Sequence, residues 1–343
     1  MKITIRFLLS AVMVFMFCMP GTVDAADNVV KLKLADSYPV GHTCYKMALN
    51  FKKRVEEITK GKAVVEYYPS EQLGKLKDLL RICSSGVADI TNVSPNFFAG
   101  QLPLNTLMAS PFYTTAVEGS AINQRLLFES PEIINEYSKY GVRPIMGYAT
   151  NQYDVVTTKK QVKNPEDVKG LKIRTPGGFF DKIAVRYGIS PVSIASPEMY
   201  EAAQRGVFDG MLLTFPAVKQ YRLNELVKYY TYGLRLGSNP NSYIINEKKW
   251  QSLPNDVKDA VLQAGKEASG YFGENWDKEQ EDLAVSFAKA GGVITRISKE
   301  KLKAWMQPMK GIEEDWLNDM EKKGLAGRPV FDKFQKLCDE IAK

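Results

Sequence analysis

The chain has 343 residues and a formal net charge of +7, with 45% hydrophobic and 25% charged residues. These proportions describe an ordinary globular protein long enough for two cores, and its modest basic excess contains no basic block that would point to a nucleic-acid partner. A single histidine, His42, excludes a two-histidine metal centre and leaves a Ser-His-Asp triad only one possible base.

Lys2 and Arg6 precede the apolar run Phe7 to Met19, followed by Pro20, Gly21 and the small-residue stretch Val23-Asp24-Ala25-Ala26. This order predicts a secretory signal peptide over residues 1–25, cleaved near Ala25, because the run is shorter than the about 20 residues needed to span a bilayer. Met16 and Phe17 before Cys18 are too large for a lipoprotein signal. Periplasmic localisation is the expectation. The other cysteines, Cys44, Cys83 and Cys338, leave open either a Cys44 to Cys83 disulfide or three buried thiols.

Val30, Leu32 and Leu34 alternate with lysines, which predicts a strand with one covered face. The loop Ser37 to His42 leads to a helix with Met47, Phe51, Val55 and Ile58 on one side. A strand over Ala63 to Tyr68, a helix carrying Leu73, Leu76, Leu80 and Cys83, and a strand over Ala88 to Val93 complete an α/β unit with a parallel sheet. The pattern restarts with extended stretches Arg143 to Thr150 and Tyr153 to Thr158. It continues with a strand Leu171 to Arg174, the turn Thr175 to Gly178, a helix Phe179 to Tyr187, a helix Pro197 to Arg205 and a strand Val207 to Leu213. Between Pro254 and Gly291 only Gly265, Gly270 and Gly273 oppose a helix, and one of that length is expected to lie across both units. Helices over Lys299 to Lys323 and Pro329 to Ala342 finish the chain.

Catalytic motifs are lacking: there is no Gly-x-Ser-x-Gly, no Walker-type loop, no Gly-x-Gly-x-x-Gly and no Cys-x-x-Cys. No enzyme activity, no cofactor and no metal are expected. Arg174 is the candidate for anion binding, since it falls at the carboxyl end of a predicted strand before Pro176-Gly177-Gly178, where open α/β sheets hold ligands. Its planar fork matches a carboxylate with two charge-assisted hydrogen bonds, although a surface ion pair would use the same residue.

The segments Pro165 to Pro176 (PEDVKGLKIRTP) and Pro197 to Gly210 (PEMYEAAQRGVFDG) resemble the DctP-type binding proteins of tripartite ATP-independent periplasmic (TRAP) transporters. Tyr68 to Gly74 (YPSEQLG), Pro111-Phe112-Tyr113, and Tyr243 to Asn246 with Trp250 and Leu253-Pro254 recur in the same order, so the resemblance covers nearly the whole chain after residue 30. It implies an α/β, two-lobed periplasmic binding protein fold with a long helix spanning both lobes. Residues 26–152 plus 239–281 would form lobe I, and 153–238 plus 282–343 lobe II. It further implies that Arg174 pairs with a ligand carboxylate, and that the partners are a small organic acid and the small and large TRAP membrane permease subunits. A receptor that presents its ligand to a sensor kinase or chemoreceptor is the alternative.

Departures from the sialic-acid branch of that family bear on the ligand. Asp154 stands where that branch has a second cleft arginine, Ser94 and Phe97 replace an acidic and a basic residue, Leu213 replaces an asparagine, and Ser196 an aromatic residue. A multiply hydroxylated or doubly charged acid would leave polar groups unpaired, so a monocarboxylate, aromatic or branched, is expected. Tyr38, Phe97, Phe112, Tyr153, Phe179 and Phe215 are candidate aromatic contacts, and Ser37 and His42 match positions near the family's cleft. Asp154 is read either as the receiver of a ligand cation or as a neutraliser of Lys159 or Lys160.

Overall fold

Alternation at the start of the chain yields strand β1 (Val30–Ala35), with Leu32 and Leu34 buried and Lys31 and Lys33 in water. The computed structural model describes residues 29–342, so the signal peptide and its cleavage near Ala25 lie outside the described residues. Helix α1 (Thr43–Ile58) buries Met47, Phe51 and Val55 and is followed by β2 (Ala63–Tyr68), the short helix α2 (Leu79–Ser84) and β3 (Ile90–Val93). The expected helix carrying Leu73 is shorter than its apolar spacing suggests. Ser70 and Glu71 take left-handed backbone conformations, donating to Tyr38 O and Asp36 O, and a single 3-10 turn at 76–78 precedes α2.

Helices α3 (Ala116–Glu129) and α4 (Pro131–Ser138) then lead to β4 (Val142–Ala149). Residues 150–153 carry the chain into a second sheet, which begins with β5 (Asp154–Thr157). This half continues through β6 (Lys172–Thr175), α5 (Phe179–Arg186), β7 (Ser190–Ser193), α6 (Met199–Gln204), β8 (Gly210–Leu213), α7 (Phe215–Gln220) and β9 (Tyr229–Tyr232). Residues 233–239 return to the first sheet as β10 (Pro240–Asn246), followed by α8 (Glu247–Ser252). The helix α9 (Asn255–Lys289) ends at β11 (Val293–Arg296) in the second sheet.

The result is two lobes, each built on one mixed sheet. In the first the strand order is β2-β1-β3-β10-β4, with β10 antiparallel to both neighbours, and in the second it is β11-β9-β5-β8-β6-β7, with β5 antiparallel to β8 and β9. The 35 residues of α9 reach about 50 Å at 1.5 Å per residue and run unbroken from α1, α3 and β4 in the first lobe to α7 and β11 in the second. Two of its glycines permit close packing. A Cβ on Gly265 would lie 2.5 Å from Ile145 O, and one on Gly273 2.9 Å from Val117 Cα, so tertiary packing offsets their low helix propensity.

The C-terminal helical stretch is divided by Pro308 and the left-handed Gly311 into α10 (Lys299–Met306) and α11 (Ile312–Lys322). The last helix, α12 (Gly327–Ile341), corrects the division of the chain drawn from the sequence. It packs on α3 and α4 of the first lobe, with Phe331 and Phe334 edge-on to Phe112 and with Glu340 and Lys333 bonded to Arg125 and Glu129. The C-terminal segment therefore straps the two lobes and does not belong wholly to the second.

Candidate functional site

The loop after β1 is organised by Asp36, which is fully buried. Its Oδ1 accepts from the Tyr38 amide (3.1 Å), and its Oδ2 accepts from the hydroxyls of Tyr67 (2.8 Å) and Tyr243 (3.2 Å). Burial outweighs these bonds and pushes its pKa up to about 7. Tyr38 is thereby aimed between the lobes, where it donates to Asn241 Oδ1 and accepts from Tyr148 (both 3.2 Å), which accepts from Asn92 (2.7 Å). His42 caps α1, its Nδ1 accepting from the Cys44 amide at 3.0 Å. Its ring lies among those of Tyr38 (4.7 Å), Tyr221 (5.2 Å) and Trp276 (5.8 Å). Burial, helped by Lys46, pushes its pKa down to about 3, so the imidazole is neutral at neutral pH.

The second lobe contributes a buried cation. Arg174 on β6 is 0% exposed. Its Nε donates to Ile194 O (2.9 Å) and its Nη2 to Ser196 Oγ (3.2 Å), while Nη1 has no partner. Asp181 acts on it electrostatically but is hydrogen-bonded to Thr175 and Ser193, and the guanidinium forms no ion pair among the described residues. Burial pushes its pKa down to about 10, opposed by the nearby Tyr153, Tyr221 and Asp181. The turn after β6 brings Gly177 and Gly178, both at positive φ, against the first lobe, where a Cβ on Gly178 would lie 3.0 Å from Asn96 O.

These walls close around a narrow cavity of about 30 Å³. Tyr38, His42, Ser94, Phe97 and Asn241 line it from the first lobe, Ser196, Leu213 and Tyr221 from the second, and Tyr153, Asn239 and Trp276 from the crossing segments and α9. Arg174 stands behind this surface, bonded to Ser196. The lobes also meet beside the cavity, where Gln220 Nε2 of α7 donates to Thr43 Oγ1 (2.6 Å) of α1 and to Glu279 Oε2 (2.7 Å) of α9. A larger groove between α7 and the end of α9 is an open surface feature, and its lysines, Lys219 and Lys228, are exposed.

Four of the residues singled out in the sequence turn away from the cavity, and Ser37 does not line it either. Asp154 follows Tyr153 directly, and the strand's two-residue period sends it to the opposite face. There its Oδ1 accepts from the amides of Gly233 (3.0 Å) and Leu234 (2.7 Å), and burial holds its pKa well above the carboxylate range. It does not line the cavity, and it forms no ion pair with Lys159 or Lys160. Phe215 stacks flat on Tyr230 at 3.5 Å in the second lobe's core. Phe112 is held by α12, and Phe179 is buried outside the lining. Ser37 is buried, with an unpartnered Oγ. The lining residues that sequence reasoning missed include Asn92, Thr150, Tyr221, Asn239, Asn241 and Trp276, none of which lies in a motif.

Cys44, Cys83 and Cys338 are free and buried. Among the described residues no cluster of His, Cys, Asp and Glu is arranged for a metal ion, and no helix is long and apolar enough to cross a membrane.

Comparison with known proteins gives a consistent picture. The family model DctP, bacterial extracellular solute-binding protein, family 7, matches residues 34–326. The sialic acid-binding periplasmic protein of Vibrio cholerae is 27% identical over 297 residues, covering 84% of this chain and 90% of that one. The solved TRAP periplasmic solute-binding protein of Bordetella bronchiseptica, with bound (R)- and (S)-mandelate, superimposes with a TM-score of 0.82 at 23% identity, covering 91% of this chain and 99% of that one. A TRAP solute-binding protein of Rhodoferax ferrireducens with copurified benzoate gives a TM-score of 0.84 at 22% identity, covering 91% and 98%.

Proposed function

The chain belongs to family 7 of the bacterial extracellular solute-binding proteins, the DctP-type receptors of TRAP transporters, and on that footing we propose that it captures a small monocarboxylic acid, aromatic or branched, for a TRAP permease. It is exported with cleavage near Ala25, binds its ligand without turnover, and delivers it to the small and large permease subunits.

The observation that carries this reading is the state of Arg174. A guanidinium withdrawn from water costs several kcal/mol unless an anion compensates it, and among the described residues no carboxylate is hydrogen-bonded to it, Asp181 acting only from a distance. Its free Nη1 is suited to an anionic guest, and its planar fork is suited to one carboxylate. When the lobes part, the turn at Gly177 and Gly178 leaves Asn96 and the guanidinium becomes reachable. When they close on an acid, the ligand touches both sides and thereby stabilises the closed form.

The rest of the cavity favours a single negative charge. His42 is neutral, Asp154 faces elsewhere and no other lining residue is ionic, so the cation offered to a guest is that of Arg174, which stands behind the wall bonded to Ser196. Tyr38, Phe97, Tyr153, Tyr221 and Trp276 offer flat apolar surface. Mandelate and benzoate, the ligands named for the two structural neighbours, are both aromatic monocarboxylates.

Thermal-shift screening tests the proposal. Benzoate, mandelate and branched-chain acids are expected to raise the melting temperature with no product formed, and succinate and sialic acid to leave it unchanged. Stabilisation by dicarboxylates or sugar acids alone would overturn it.

A further inference from the structure

We propose that the acid taken by this cavity carries one hydroxyl group at the end remote from its carboxylate, and that His42 is the residue that selects for it. The inference rests on the monocarboxylate reading above and narrows it.

The proton on His42 is located by its neighbours. Nδ1 accepts from the Cys44 amide at 3.0 Å and so carries no hydrogen, and burial keeps the ring from taking a second proton. The single proton of the neutral imidazole is therefore on Nε2. His42 lines the cavity, and among the described residues nothing accepts from Nε2. The rings of Tyr38, Tyr221 and Trp276 hold the imidazole plane, so this N–H is a fixed donor.

Other polar groups on this wall donate to one another. Asn92 donates to Tyr148, Tyr148 to Tyr38, and Tyr38 to Asn241. Ser94 and Asn96 both donate to Asn239 Oδ1. What remains without an acceptor among the described residues is the His42 N–H, together with the Asn239 Nδ2 and Tyr221 hydroxyl donors, beside oxygen lone pairs on Tyr38 and Ser94. A hydroxyl both accepts and donates, and so matches both. A hydrogen or methyl at that place leaves the N–H unpaired, and a second carboxylate meets a neutral ring with no countercharge. His42 belongs to the first lobe and Arg174 to the second, so the hydroxyl and the carboxylate are gripped by different lobes.

Calorimetric titration with benzoate, 3-hydroxybenzoate, 4-hydroxybenzoate and isophthalate tests this. In the native protein at least one hydroxybenzoate is expected to bind about tenfold more tightly than benzoate, the effect of satisfying one buried donor, and isophthalate more weakly than that isomer. In His42→Asn, which keeps a side-chain acceptor for the α1 cap, the ratio between hydroxybenzoate and benzoate affinities is expected to fall toward one. Benzoate binding as tightly as both hydroxy acids in the native protein would overturn the inference and leave the monocarboxylate reading intact, and this comparison needs no variant to fold. A hydroxyl preference that survives in His42→Asn would remove His42 from the role. Binding of none of the four acids would overturn the inference, and the monocarboxylate reading would fall with it only if mandelate and branched-chain acids also failed to bind.

Discussion

Replacing Arg174 is expected to separate ligand affinity from stability. In Arg174→Ala the ligand carboxylate loses its cation at a site that is 0% exposed, and truncating one partner of a buried charge pair costs about 2 to 5 kcal/mol. That is a loss of affinity of about thirtyfold to several thousandfold. The ligand-free protein is expected to behave differently, because the guanidinium has no carboxylate partner there. Arg174→Met keeps most of the buried volume and removes an uncompensated charge, while the Ile194 carbonyl loses its 2.9 Å donor, a cost of about 1 kcal/mol. The two effects oppose each other, so the melting temperature of the ligand-free variant is expected to be unchanged or raised. Titration calorimetry with the most stabilising acid and scanning calorimetry of the ligand-free protein measure both quantities. An affinity within twofold of the native protein would refute the assignment. So would a ligand-free destabilisation beyond about 3 kcal/mol, the signature of a broken structural ion pair.

Three further outcomes follow from the geometry. Gln220→Ala removes the bonds from α7 to Thr43 and Glu279, at a cost of about 1 kcal/mol of closed form, and is expected to weaken every acid by the same factor of about five; factors that differ between acids would place Gln220 in the ligand contact instead. Gly178→Ala adds a Cβ 3.0 Å from Asn96 O at φ +60, and small-angle scattering with saturating ligand is expected to report a more open particle than the native protein gives; identical scattering would refute the lobe contact. Asp36 has a folded pKa near 7, above its ordinary 3.8, because burial favours the protonated form, so its stabilising contribution is complete below about pH 4 and is lost as the pH rises through 7. Thermal unfolding of the native protein relative to Asp36→Asn is therefore expected to worsen from pH 4 to 8, and a constant difference would contradict the assignment.

The sequence made the scaffold legible where local and global signals agree. Alternation at Val30, Leu32 and Leu34 marks β1, and the unbroken helical stretch after Pro254 marks α9, because its glycines meet neighbouring backbone and do not end the helix. The helix α3 left a signal that went unread, the capping box of Thr115 and Glu118. The cavity was less legible, for physical reasons. Tyr153 and Asp154 are adjacent in sequence and opposite in space, and one residue of strand parity decides which of them faces the cavity. Tyr221, Asn239, Asn241 and Trp276 come from a helix end, a crossing segment, β10 and α9, so only the packing of the lobes brings them to one wall. The place of α12 was hidden as well, since its apolar face carries no mark of which lobe it covers.

The central claim is that one buried guanidinium, that of Arg174, receives the acid group of the ligand. A crystal structure of the filled receptor tests it most directly. A carboxylate oxygen is expected about 2.8 Å from Arg174 Nη1, with the rest of the guest against Tyr153 and Tyr221. A guest whose carboxylate lies against other residues, with Arg174 still bonded only to Ile194 and Ser196, would contradict it.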